Sequence, residues 1–199
     1  MNETTGELRA RNLRTVGLLA ALFFLPLALS FWLYYGTDWR PAGTVNHGEL
    51  ILPPRSLPQT SLPLYGGGAT REAPFTRLWT LVYVGDGRCG ESCRRALYVM
   101  RQTRLALHKD MVRVQGMFVA TGACCAGDFL AREHPGLIVV DAGGGDAQAV
   151  LDAFPREERE HSIFVVDPLG NLMMRYDARS NPKGLLEDLE RLLDLSHIG

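Results

Sequence analysis

The chain has almost no excess of charge: 21 Lys+Arg stand against 22 Asp+Glu, a formal net charge of −1, and the pI is near 6.5. A nucleic-acid-binding domain needs a basic stripe or patch, so that class of partner is excluded. No internal repeat and no low-complexity tract runs through the 199 residues. With 46% hydrophobic and 22% charged residues, global disorder and collagen-like architecture are excluded as well. The triplet Gly143-Gly144-Gly145 lacks the Lys-Ser/Thr ending of a phosphate loop. No nucleophile elbow and no Ser/His/Asp order stands out. Cysteine is scarce too, and with only four in the chain its placement carries weight.

What is present begins at the N-terminus. Residues 15–37 carry no charge. A helix of that length rises about 34 Å, enough for a hydrocarbon core of about 30 Å. Arg9, Arg11 and Arg14 precede it, and Trp32, Tyr34, Tyr35 and Trp39 stand at its far end as an interfacial aromatic belt. The expectation is a single-pass anchor in the cytoplasmic membrane, with residues 1–14 inside and the rest in the periplasm. A cleaved signal peptide is the rival, but its apolar stretch would be shorter.

Residues 38–77 carry Pro41, Pro53, Pro54, Pro58, Pro63 and Pro74 plus Gly66-Gly67-Gly68, and are expected to be a tether. Short strands at Glu49–Leu52 or Leu62–Leu64 fit the same stretch. From residue 78 to 199 the pattern is that of a folded domain. Trp79–Val84 and Val112–Val119 predict strands, with a helix over 91–108 between them. Gly136–Val140 is a short, wholly apolar strand, of the kind buried in parallel sheets. A helix is expected at Ala147–Phe154. Ser162–Val166 and Asn171–Tyr176 flank Asp167-Pro168-Leu169-Gly170 as a hairpin. An amphipathic helix closes the chain, with Asn181 as N-cap and Pro182 in its first turn. Strand–helix–strand, helix, hairpin and helix make an α/β fold: a thioredoxin-like mixed sheet flanked by helices.

The cysteines form two tight pairs, Cys89/Cys93 and the adjacent Cys124/Cys125. In an exported protein four cysteines ordinarily suggest disulfide staples, but no distant pair here closes a long loop. Cys89-Gly90-Glu91-Ser92-Cys93 follows a strand and opens a helix, where the helix field favours thiolate over thiol. Two sulfurs one helical turn apart suit a soft cation or a disulfide. His161, just ahead of the first hairpin strand, is expected at the same rim of the sheet and completes a candidate metal set of Cys89, Cys93 and His161. The loop holding Cys124 and Cys125 follows the neighbouring parallel strand and is expected nearby, as resolving thiols or auxiliary ligands. The Arg94, Arg95, Arg101 and Arg104 face of the intervening helix reads as solvated.

These residues resemble the Sco/SenC family of copper chaperones for cytochrome c oxidase assembly. The likeness spans about Leu78 to Tyr176, with the single N-terminal span, and rests on Cys89-x3-Cys93 and on His161-Ser162 leading into Val165-Val166-Asp167-Pro168. A softer likeness links residues 32–52 to small membrane proteins of oxidase assembly. The resemblance implies copper bound by Cys89, Cys93 and His161 and delivered to an oxidase subunit or its assembly factors, which is metal delivery rather than turnover. The alternatives are a thiol–disulfide oxidoreductase with Cys89 and Cys93 as catalytic residues, acting on the same subunit, and a non-catalytic assembly scaffold.

Overall fold

The structure is a computed structural model that describes residues 3–37, 46–145, 147–196 and 198, the side chains of 3–8 and 10 excepted. It divides into two units, Met1–Thr44 and Val45–Gly199. Within the first, α1 (Glu3–Gly36) is one helix, and its Arg11–Gly36 part is long and apolar enough to cross a membrane. Its aromatic and aliphatic side chains, Phe23, Phe24, Leu27 and Trp32 among them, are exposed. That is consistent with a membrane anchor or a signal sequence. Trp39 of the expected aromatic belt and the first part of the expected tether, 38–45, lie outside the described residues.

The second unit is a six-stranded mixed sheet in the order β1-β6-β5-β2-β3-β4. The strands are β1 (Glu49–Ser56), β2 (Trp79–Asp86), β3 (Val114–Thr121), β4 (Ile138–Asp141), β5 (Ser162–Val166) and β6 (Asn171–Asp177). β2, β3 and β4 run parallel, while β5 pairs antiparallel with β2 and β6, and β1 with β6. The helices are α2 (Glu91–Ala106), α3 (Gly127–Glu133), α4 (Gln148–Ala153) and α5 (Pro182–Leu195).

The central strands β2 and β3 are mostly apolar and buried along their middles, because both faces are covered. Along β2, Trp79, Leu81 and Tyr83 point into one cluster with α2 and α5, while Val82 and Val84 point into another with Val150, Leu151 and Phe154. The same alternation sends Phe118 and Ala120 of β3 one way and Met117 and Val119 the other. Each large side chain buried in this way contributes roughly 1.5–3 kcal/mol of transfer free energy. Asn181 caps α5 as expected, its side chain accepting from the Lys183 N–H at 3.0 Å.

The segment expected as a tether is part of this unit from Glu49 onward. β1 is an edge strand, where Pro53 and Pro54 cost no interior ladder bonds. Leu57, Leu62 and Phe75 are buried in the second cluster. Residues 63–65 lie along the free edge of β4, with the Tyr65 N–H donating to the Val139 carbonyl at 2.9 Å and Asp141 N–H to the Pro63 carbonyl at 2.9 Å. They cover an edge that would otherwise be open to pairing. Ahead of β1, the His47 and Gly48 N–H groups donate to the buried Asp188 carboxylate, as does the Tyr176 hydroxyl. Proline density alone suggested a linker. Side chains that find a core, and carbonyls that find a sheet edge, overrode it.

Candidate functional site: two cysteine loops at one sheet rim

β2 and β3 run in register from Trp79 opposite Val114 to Asp86 opposite Thr121, so both strands end at the same level. The loops that follow them, with the first turn of α2, carry all four cysteines.

The first loop is set by Asp86, whose carboxylate accepts from the Arg88 backbone N–H at 2.8 Å and from its guanidinium at 3.0 Å. The guanidinium holds this exposed carboxyl down at about 2. Cys89 then takes a left-handed backbone with φ +50°, a conformation few non-glycine residues adopt, and its N–H donates to the Asp86 carbonyl at 3.0 Å. That reversal delivers the chain into α2 two residues later, with Gly90 as its N-cap. Cys93 falls on the first turn of α2, and the structure joins it to Cys89 in a disulfide with Cα atoms 5.0 Å apart. The two residues are only 1% and 3% exposed and share the first cluster with Tyr83, Leu97, Phe118 and Ile163.

The second loop lies against the first. The Gly87 N–H donates to the Thr121 carbonyl and the Ala126 N–H to the Gly87 carbonyl, each at 2.9 Å. Gly87 is required by this approach, because a Cβ there would sit 2.7 Å from both the Ala123 oxygen and Cys124 Cα. Cys124 and Cys125 are disulfide-bonded to one another, half-buried, and packed against the cluster that holds Cys89 and Cys93. The expected proximity of the two pairs is therefore realised at the level of the loops.

His161 ends a 3-10 turn, Arg159–His161, just before β5. In the β2–β5 register Tyr83 stands opposite Ile163, so the chain at His161 lies beside the end of β2. The histidine is half-buried, with its carbonyl accepting from the Ala178 N–H at 2.7 Å. It reaches the expected rim. In this disulfide form, however, no three His, Cys, Asp or Glu side chains converge as a metal site among the described residues. Sulfurs bonded to each other are not thiolate ligands, so the donor set suits Cu(I) only after the Cys89–Cys93 bond has been opened.

Two further residues shape the site. The Tyr83 hydroxyl donates to the Glu160 carbonyl at 3.0 Å, fixing the backbone next to His161. Burial, with the Glu160 charge adding to it, pushes this phenol up to about 12. Its ring leaves no space for a side chain at Gly85, where a Cβ would lie 2.7 Å from the hydroxyl oxygen. In the sequence Tyr83 reads only as a strand residue. Arg94, exposed as expected, also donates from Nε to the Cys89 carbonyl at 3.2 Å, and its guanidinium lies 4.4 Å from the centre of the Phe129 ring in α3. Arg95 and Arg104 likewise bind carbonyls, of Ala178 and Val114. An arginine at an exposed helical position gives no local signal of this, since the acceptors come from other elements.

The family model described as "Transmembrane-like, thioredoxin-like, C-terminal domain" matches residues 79–196. No curated protein matches. Among solved structures, the apo Sco1 protein of Thermus thermophilus is similar with a TM-score of 0.60 at 19% identity, covering 76% of this chain and 99% of that one. Bradyrhizobium japonicum ScoI with copper bound gives 0.55 at 17%, covering 69% and 98%. The MTB dsbF structure, in mixed oxidized and reduced forms, gives 0.52 at 14%, covering 68% and 96%. At these identities the likeness carries the thioredoxin-like fold and nothing finer.

Proposed function

The chain belongs to the family of transmembrane-like, thioredoxin-like C-terminal domains, and from that footing we propose that it is a membrane-anchored, copper-handling assembly factor with its thiol domain in the periplasm. In the reduced form Cys89 and Cys93 take Cu(I) as cargo, with His161 as third ligand, and pass it to a cytochrome c oxidase subunit or its assembly factors. The observation that carries this reading is the C-x3-C pair at the β2–α2 junction with the His161 segment alongside, on a sheet shared with a copper-bound ScoI. The arrangement explains how cargo can be both held and released. Helix α2 favours thiolate at its start, and two thiolates with one imidazole leave a trigonal ion open to attack by an incoming ligand. The disulfide form is then the copper-free state, and two electrons must arrive before loading.

The test is anaerobic Cu(I) titration of the full chain in detergent micelles after chemical reduction. One equivalent is expected for the wild type, with at least tenfold weaker retention in Cys93→Ser and His161→Ala. Wild-type protein that keeps no copper ends this reading. A second reading, thiol–disulfide exchange on the oxidase subunit by Cys89 and Cys93, is favoured by the disulfide itself and by the dsbF likeness. It predicts turnover of a disulfide substrate by metal-free protein.

A further inference from the structure

Cys124 and Cys125 have no part in the reading above, yet they are the more accessible pair. Both are half-buried, whereas Cys89 is 1% and Cys93 3% exposed. Their loop is bonded to the Cys89 loop on either side of the pair, by the two hydrogen bonds of Gly87 to Thr121 and Ala126. Gly87, two residues before Cys89, touches the Cys124 backbone. Arg94 reaches from the Cys89 carbonyl to the Phe129 ring and so links the first loop to α3. A protein reductant therefore meets an outer disulfide first, while the inner one is covered.

We propose that Cys124/Cys125 is the electron-receiving pair, taking two electrons from an external dithiol protein and passing them to Cys89–Cys93 by internal thiol–disulfide exchange. The inference rests on the reading of Cys89–Cys93 as a pair that must be reduced to work. The external dithiol opens the Cys124–Cys125 bond and is itself left as a disulfide. Cys124 then gives up its proton and attacks Cys89 Sγ; the Cys89–Cys93 bond breaks and Cys93 leaves as thiolate, to take up a proton. Cys125, deprotonated in turn, attacks Cys124 Sγ; the mixed Cys89–Cys124 bond breaks and Cys89 leaves. The inner pair has gained two electrons and two protons, and the outer pair has lost the same. Exchange of this kind requires only an attacking thiolate, an accessible sulfur and a leaving thiolate. The touching loops provide the proximity.

The test uses the full chain in detergent micelles with reduced thioredoxin as the dithiol protein. Opening of Cys89–Cys93 is followed by alkylation and mass spectrometry, and its reduction potential is read alongside against glutathione. Cys124→Ser/Cys125→Ser is expected to slow the opening at least tenfold at an unchanged potential. A wild-type rate overturns the proposal, and so does a slower rate that a shifted potential accounts for. The double variant Cys93→Ser/Cys125→Ser gives a second readout: mild oxidation should yield a mapped Cys89–Cys124 disulfide, and two free thiols in its place overturn the relay. Loss of Cu(I) binding by chemically reduced wild type sinks the cargo reading separately and leaves the rate comparison standing.

Discussion

The two loops at the end of β2 and β3 hold the same chemistry in opposite settings. The β2–α2 loop buries its disulfide in the core and feeds a sixteen-residue helix, whose aligned dipoles act on the first cysteine. The β3–α3 loop leaves its disulfide half-buried ahead of a seven-residue helix, too short to add a comparable field. Burial protects a pair from casual oxidants but also from its reductant, and in the proposed relay the covered pair is served by a half-buried pair whose loop touches its own. The comparison teaches that accessibility and reactivity can be divided between neighbouring loops.

The sharpest way to break that arrangement is at the point where the loops touch. Gly87→Val puts side-chain atoms where the Ala123 oxygen and Cys124 Cα already are, and both are backbone that cannot rotate aside. Overpacking of this kind costs about 1–3 kcal/mol, and a lower Tm by calorimetry is expected. The same variant should let alkylating reagents reach the reduced inner thiols faster, because the loops must part. Tyr83→Phe acts more gently, from the His161 side. It leaves the Glu160 carbonyl without its donor and should cost about 1 kcal/mol in urea unfolding. The wild-type advantage is present below the ordinary tyrosine pKa of 10.0 and is lost as pH rises through about 12, because the folded protein favours the protonated phenol. Matching urea profiles of wild type and variant at neutral pH would remove Tyr83 from the site.

The smallest effect is expected at Asp86. Its pKa is depressed in the folded protein by the Arg88 side chain first and the Arg88 N–H second, so its contribution is present above 3.8 and lost as pH falls through about 2. Amide exchange at Arg88 and Cys89 should rise in that acid window before the β3–α3 loop responds. Simultaneous loosening of both loops would mean that the Asp86 clamp is not specific to the first.

Most of the sheet was legible because its signals are local. β5 was expected at Ser162–Val166 and is found there, since five consecutive apolar or β-compatible residues between turns leave little choice. The strand expected at Val112–Val119 instead runs Val114–Thr121, because His108–Arg113 closes up as a 3-10 turn after α2. The seven-residue α3 was not anticipated, whereas the six-residue α4 was expected within Ala147–Phe154. The placement of the two cysteine loops and of His161 at one rim was legible, but the residues that support them were not. Tyr83 and Arg94 act through carbonyl groups of Glu160 and Cys89, and a carbonyl leaves no trace in residue identity.

The sequence by itself determined the apolar N-terminal helix, the order of strands and helices apart from α3, and the spacing of both cysteine pairs, because each depends on residues near one another along the chain. Only the tertiary structure decided that residues 49–77 close the sheet instead of hanging free, which disulfide is covered and which half-open, and that Gly87 holds the two loops together. Those outcomes depend on which distant backbone or side chain arrives at a given place, and that is settled by packing and by the pairing of buried polar groups.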